Sequence, residues 1–440
     1  MKFSVSVSLL AAAGLASAAN EFAMNRLMSM KVSEREEYRA KGMFAPGRYG
    51  NSTNKFVPCR HGKSGEYSCN KVDQHGFLTH QEMGSTTREG NDVWGWTSRD
   101  GREFGAIGQT DGTAFVEVLK DGRLEYKGRL PTQTVASIWR DMKVIDGYVY
   151  IGAESRDHGL QVFDMRKLLD LKEPKTFSVK DDMTAFFSGF GSSHNIVHHE
   201  ATKMIYAVGT GRKTECAGGL FMVDVSDPSK PVSRGCANSD GYVHDAQCVI
   251  YTGPDQQYKG KEICFGYNED SLTIYDTPYQ GSAYTHQGWL ADPKKMTYLL
   301  LDDELDEKDG TALGKNHTTT YIFDIKQLAK PKYTGFYQSP AQSIDHNQYV
   351  LNGLTYQSNY GSGLRIVDVS SVDRRPDGSQ FKEAGFFDCH PEDDHMNGEV
   401  SFHGSWSTYP YFKSGYILLN SIERGVYSLR YNGPPARYRW

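Results

Sequence analysis

The sequence predicts an all-β fold, a β-propeller of seven four-stranded blades whose last blade is closed by a strand from the N-terminal side. Three observations lead there. A seven-residue strand motif with an acid at its sixth position recurs along the chain, with successive starts 44 to 62 residues apart. Each copy follows another β-rich segment, and each middle copy precedes a turn and a strand ending near Gly-aromatic. Four short strands per roughly fifty residues is the spacing of a propeller blade. The 440 residues include 45 glycines and 27 tyrosines, and long helical periodicity is scarce, which favours strands and tight turns.

The N-terminus reads as a leader rather than as part of the fold. Lys2 supplies a positive charge, FSVSVSLLAAAGLA an apolar stretch, and ASAA small residues for cleavage near Ala18 or Ala19. Residues 1–18 are therefore expected to be a signal peptide, 19–72 a lead-in with a local disulfide, and 73–440 the propeller. No later stretch has the apolar length of a membrane span. The expected location is secreted, extracellular or wall-associated. An oxidising compartment suits the cysteines, which fall into sequence-local couples. The expected bridges are Cys59–Cys69, Cys216–Cys236 and Cys248–Cys264, with Cys389 left over, although spacing alone does not fix connectivity. Asn51 and Asn316 begin Asn-X-Ser/Thr sequons and are candidate glycosylation sites. A net charge of −5 without a Lys/Arg run argues against nucleic acid as a partner.

The motif copies are GTAFVEV (112–118), GLQVFDM (159–165), GLFMVDV (219–225), SLTIYDT (271–277), TTYIFDI (319–325), GLRIVDV (363–369) and a degenerate GVYSLRY (425–431). One such unit cannot bury both faces of its sheet, so the units must stack. A β-solenoid or paired sandwiches would not repeat with this period and fidelity. The seventh repeat lacks a clear fourth strand, while DQHGFLTHQ (73–81) resembles the fourth-strand segment EYKGRLPTQ (125–133). Pairing of 73–81 with the last repeat would hide an open sheet edge.

These motifs, together with NDVWGW, SIWRDMKV, YVHDAQCVIYTGPD and YTHQGWL, resemble the LVIVD-repeat proteins of the secreted "choice-of-anchor B" group. The likeness runs from about Cys59 to Tyr431, and CRHGKSGEYSCNKVD is similar to that group's Cys-containing lead-in. It implies a propeller and an extracellular setting, and no particular reaction. Arg430 stands where the other copies carry an acid, so the last unit departs from the pattern.

Each inner strand opens with a matched residue: Trp94, Trp139, His194, His244, His286, His346 and Trp406. Inner strands line a propeller's channel, so four histidines are expected on one channel face. Neutral imidazole is a ready metal ligand and imidazolium a ready donor, but repeated histidines also tie loops together structurally. Two neighbouring histidines plus a carboxylate are the realistic metal set. Chain direction brings the loops between the second and third strands to the same face. The channel-face candidates are thus His194, His244, His286, His346, Asp245, Glu154 and Glu269. LDDELDE (301–307) offers Asp302, Asp303 and Glu304 to Ca²⁺ or another hard cation, or is a solvated acidic loop. HPEDDHMNGEVSFHGSW (390–406) offers His390, Glu392, Asp393, Asp394, His395 and His403 as further metal ligands. His198 and His199 alternate across a strand and should not share a site. There is no GxSxG elbow, and VGTGRK and GFGSSH do not open a helix, so no hydrolase nucleophile or phosphate cradle is expected.

The function expected from these residues is a non-catalytic extracellular propeller binding a protein, glycan, small molecule or metal at the channel face. The alternatives are a metal-dependent hydrolase or lyase at the same mouth, and a structural cell-surface or wall component.

Overall fold

A computed structural model describes residues 7–49, 53–212, 214–238, 241–269, 271–273, 283–313, 315–396 and 398–436. The fold is an all-β propeller. Among the described residues, six sheets carry four or more strands, all but one of those strands antiparallel to their neighbours. A three-stranded sheet, Asp245–Ile250, Glu262–Asn268 and Ser271–Thr273, stands between the sheets that begin at Asn195 and Thr285. It ends beside residues outside the described set, which include most of the SLTIYDT copy.

The innermost strands form the channel wall. In order they are Gly90–Thr97, Arg140–Ile145, Asn195–His199, Asp245–Ile250, Thr285–Leu290, Asn347–Leu351 and Ser405–Tyr409; each packs on the next and the last packs on the first. Side chains stitch neighbours together. Asp92 accepts from the Met142 amide (3.2 Å), Asp141 from Ile196 (2.6 Å), Gln247 from Leu290 (2.9 Å) and Gln287 from Gln348 (2.6 Å). Buried amides at blade junctions therefore keep partners without backbone pairing between blades.

The recurrent motif is the third strand of each sheet, and its chemistry explains its sequence. Successive side chains enter different cores: Leu364 and Ile366 join one cluster while Val367 and Val369 join another. Each blade so buries both faces against its neighbours. The terminal acid folds the exit turn. Asp164, Asp224, Asp324 and Asp368 each accept the amide of the residue two positions on, at 2.9 Å. The Ser226 amide, with the Arg234 guanidinium, holds Asp224 down at about 2.

Arg430 has no such turn to make. Its strand, Gly425–Tyr431, is instead covered by Val72–Thr79, paired antiparallel from Val72↔Tyr431 to Thr79↔Gly425. The N-terminal strand thus supplies the fourth strand of the last sheet. Just before it, Tyr67–Asn70 adds to the outer edge of Lys382–Phe387. The bridges Cys59–Cys69, Cys216–Cys236 and Cys248–Cys264 are present, and Cys389 is free and buried. Asn316 lies on an exposed turn, while Asn51 falls outside the described residues.

One long helix, α1 (Val7–Ala40), lies outside this β plan. Met24, Leu27, Lys31, Arg35 and Tyr38 form a buried stripe at helical spacing, and that stripe seats on the channel mouth. Among the described residues no helix is long and apolar enough to cross a membrane.

Candidate metal centre at the channel mouth

Inner-strand starts and second-strand ends converge at the mouth, as chain direction requires. Rings from consecutive inner strands form an arc there. Trp139–His194 centroids are 6.0 Å apart, His194–His244 4.4 Å, His244–His286 4.3 Å, His286–His346 4.3 Å and His346–Trp406 4.8 Å. Trp94 is not part of it. It sits deeper in the channel against His198, Tyr349 and Tyr409, because the strand from Gly90 enters the mouth four residues earlier.

The arc's ring nitrogens are sorted by the backbone. His244 Nδ1 meets the His286 carbonyl at 3.0 Å and His346 Nδ1 meets the Trp406 carbonyl at 2.7 Å. A carbonyl only accepts, so both Nδ1 atoms carry the proton and both Nε2 lone pairs are free for other work. His194 Nδ1 meets Glu154 Oε2 at 2.6 Å. Burial, followed by the neighbouring imidazoles and Lys31, holds His244, His286 and His346 well below the usual imidazole range. They are neutral, the ligating form.

Glu304 completes the set. His346 Nε2 lies 3.5 Å from its Oε1, and His286 Nε2 3.7 Å from its Oε2. His286, Glu304 and His346 are all buried, and one ligand atom from each falls within 4.8 Å of the others. The His346 Nε2 lone pair facing a carboxylate repels it unless a cation stands between them. Lys31 of α1 supplies one, with Nζ 2.6 Å from Glu304 Oε1. Tyr360 donates its hydroxyl to the same oxygen at 2.5 Å.

The other candidates are distributed differently. The acids of 302–307 are buried, not a solvated loop. Asp302 accepts the Gln287 amide (2.7 Å) and the Gln348 side chain (3.1 Å), and Asp303 accepts the Ala283 (2.8 Å) and Tyr284 (2.6 Å) amides. Those two carboxylates anchor the neighbouring strand; Asp302 Oδ1 also lies 3.7 Å from His286 Nδ1, and Glu304 is the one of the three that meets both His286 and His346. Asp245 lies deeper, accepting from Gln287 Nε2 at 3.1 Å. Glu269 holds the Arg212 guanidinium at 2.7 and 3.0 Å. His198 turns toward Trp94, whereas His199 meets Thr202 and Glu262, on opposite faces of their strand.

The 390–406 segment also divides. Tyr38 of α1 stacks on the His403 ring with centroids 3.2 Å apart, and its hydroxyl is 3.2 Å from His390 Nε2. Glu392 pairs with Arg424 at 2.6 Å, and His395 is exposed. Asp388, Asp393 and Asp394 cluster, but Asp388 accepts the His390 amide, Asp393 the Glu399 amide, and Asp394 binds Lys63 and Ser68.

Glu423 accepts the Gly404 amide and is pushed up to about 7 by burial. A raised carboxyl contributes stability below the unfolded-state value, and that contribution is lost as pH climbs through the folded value. Glu423→Gln is therefore expected to melt with wild type near pH 4 and to become about 2–3 kcal/mol more stable, relative to it, near pH 8. A gap that stays constant with pH in urea denaturation would show that Glu423 ionises freely.

Residues missed in the sequence are those of α1. Their signal was the 24–27–31–35–38 spacing, hidden because its centre is Lys31 and Arg35. Residues 216–238, which include the GLFMVDV strand and its disulfide, match the family model of the LVIVD repeat. The chain matches none of the curated proteins. That match falls on the third strand and exit turn of a propeller sheet, so the chain carries an LVIVD repeat at residues 216–238.

Proposed function

We propose that this chain is a secreted, non-catalytic binding propeller whose channel mouth holds a divalent metal through His286, Glu304 and His346. One observation carries the reading: three buried ligands from neighbouring blades converge with their donor atoms within 4.8 Å. Metal bonds of about 2.0–2.1 Å in a tetrahedral site place ligand atoms about 3.4 Å apart. The separations of 3.5 Å from His346 Nε2 to Glu304 Oε1 and 3.7 Å from His286 Nε2 to Oε2 are close to that spacing, one carboxylate oxygen to each imidazole. Mixed imidazole and carboxylate donors suit a borderline ion such as Zn²⁺ better than Ca²⁺, which favours oxygen alone. The Trp406 carbonyl on His346 Nδ1 is the outer-shell contact that orients a metal-binding imidazole. Burial of the site under α1 supports binding over turnover.

In the same reading, the three-stranded sheet from Asp245 is the seventh blade, and residues 1–18 are a leader removed on export. Cleavage near Ala18 or Ala19 leaves Lys31 in the mature chain. The disulfides and the Asn316 sequon suit an extracellular glycoprotein of the choice-of-anchor B group.

Saturation with Co²⁺ should give one equivalent per chain and the visible absorption of a low-symmetry site. The His286→Ala/His346→Ala double variant should lose both. An unchanged stoichiometry in that variant, or no uptake by wild type, would sink the reading.

A further inference from the structure

We infer that Lys31 is a built-in competitor for the metal position, so that α1 is a gate which a divalent transition cation must displace. This rests on the metal reading above and adds how that site is regulated. Glu304 Oε1 is 2.6 Å from the Lys31 ammonium and 3.5 Å from His346 Nε2, so the ammonium and a metal would share one oxygen. Two cations a few ångströms apart in a buried site repel strongly, and only one can stay. The ammonium fits: it lies 5.2 Å from the Trp406 ring centre, 5.6 Å from Phe402 and 5.8 Å from Tyr360. Lys31 is only 2% exposed, and its ammonium is therefore delivered by the helix rather than by a swinging surface side chain.

Beside Lys31, α1 is held by the buried side chains of Met24, Leu27 and Tyr38 and by ion pairs at its rim. Arg26 pairs with Asp309, Glu34 meets Lys308 at 2.7 Å and the Phe402 amide at 2.9 Å, and Arg39 pairs with Glu89. Several of these partners are part-exposed, and among the described residues no strand pairing or disulfide ties α1 to the sheets. Ring closure by Val72–Thr79 and by inner-strand packing does not run through α1, so lifting the helix would cost the burial of Met24, Leu27 and Tyr38 but not the closure. Metal binding and helix docking then oppose each other through Glu304, and the coupling is reciprocal: whatever lifts α1 tightens metal binding, and bound metal loosens α1.

The test uses the full mature chain, Zn²⁺ as probe, and two measurements. By calorimetric titration Lys31→Met, which keeps the stem and removes the charge, should bind Zn²⁺ at least 10-fold tighter than wild type. His286→Ala added to Lys31→Met should abolish that binding. By hydrogen exchange, Zn²⁺ should raise exchange of residues 24–40 in wild type and leave the blade strands unchanged. Equal Zn²⁺ affinity with and without Lys31, lost in both on His286→Ala, would overturn the gate and leave the site standing. No Zn²⁺ binding in either, or binding indifferent to His286→Ala, would remove the site and the gate together. Should Lys31→Met fail to fold, wild-type exchange decides: α1 protection unaffected by saturating Zn²⁺ overturns the gate.

Discussion

Glu304→Gln is expected to destabilise the protein by about 3 kcal/mol at neutral pH, and Lys31→Met added to it should restore most of that loss. The amide keeps the shape of the carboxylate and still accepts from Tyr360. What disappears is the anion beside a fully buried ammonium, since Lys31 and Glu304 are 2% and 0% exposed as side chains. Removing one member of such a pair strands the other charge in a low-dielectric interior, and that costs more than the pair contributes. Burial already lowers the Lys31 amine. Without Glu304 the amine sheds its proton more readily, which caps the loss. For a lysine with a lowered folded value, the unfolded state binds more protons, so stability rises with pH. The Glu304→Gln deficit should thus shrink between pH 7 and 10. Urea denaturation of both single variants and the double variant closes the cycle. A double variant no more stable than Glu304→Gln alone would show that Lys31 is not stranded and that its pairing with Glu304 is not formed in solution.

That pair also marks where reading the sequence stops. The blades are legible because each exit turn needs an acid at the end of the third strand, and Asp164, Asp224, Asp324 and Asp368 are written into the repeat for that reason. Closure by Val72–Thr79 is legible for the converse reason, that Arg430 breaks the rule and the last repeat runs out of strands. Four histidines on one channel face follow from register. Trp94 breaks that register, because its strand begins earlier than the others and carries it past the mouth. The acids of 302–307 look solvated in sequence, yet Asp302 and Asp303 are satisfied by amides of the preceding inner strand, far from them in any local pattern. Lys31 is the extreme case. A lysine at the centre of a buried stripe makes sense only once Glu304, 273 positions away, is known to lie against it. Propensity and periodicity describe neighbours along the chain, and this contact exists only in the assembled ring.

Closure of that ring should fail at Gly425. An added Cβ there would sit 2.0 Å from the Leu78 carbonyl oxygen and 2.7 Å from Thr79 Cα, both backbone atoms that no side-chain rotation can move. The Gly425 φ of 150° is also one that L side chains rarely adopt. Gly425→Ala must therefore push apart the Thr79↔Gly425 end of the closing pair. Each effect alone costs about 1–3 kcal/mol, so about 3 kcal/mol or more is expected for the two together. Gly191→Ala serves as the control, because nothing lies within 4 Å of its added Cβ; it should stay within about 0.5 kcal/mol of wild type. The failure should also have a location. Once Val72–Thr79 loosens, the edge of Gly425–Tyr431 is bare, and an unpaired edge recruits other strands. Gly425→Ala should accordingly show early protease cutting between the Cys59–Cys69 bridge and Gly90, together with concentration-dependent association in sedimentation. A Gly425→Ala protein that melts with wild type and keeps that segment protected would mean the N-terminal strand does not hold the ring shut.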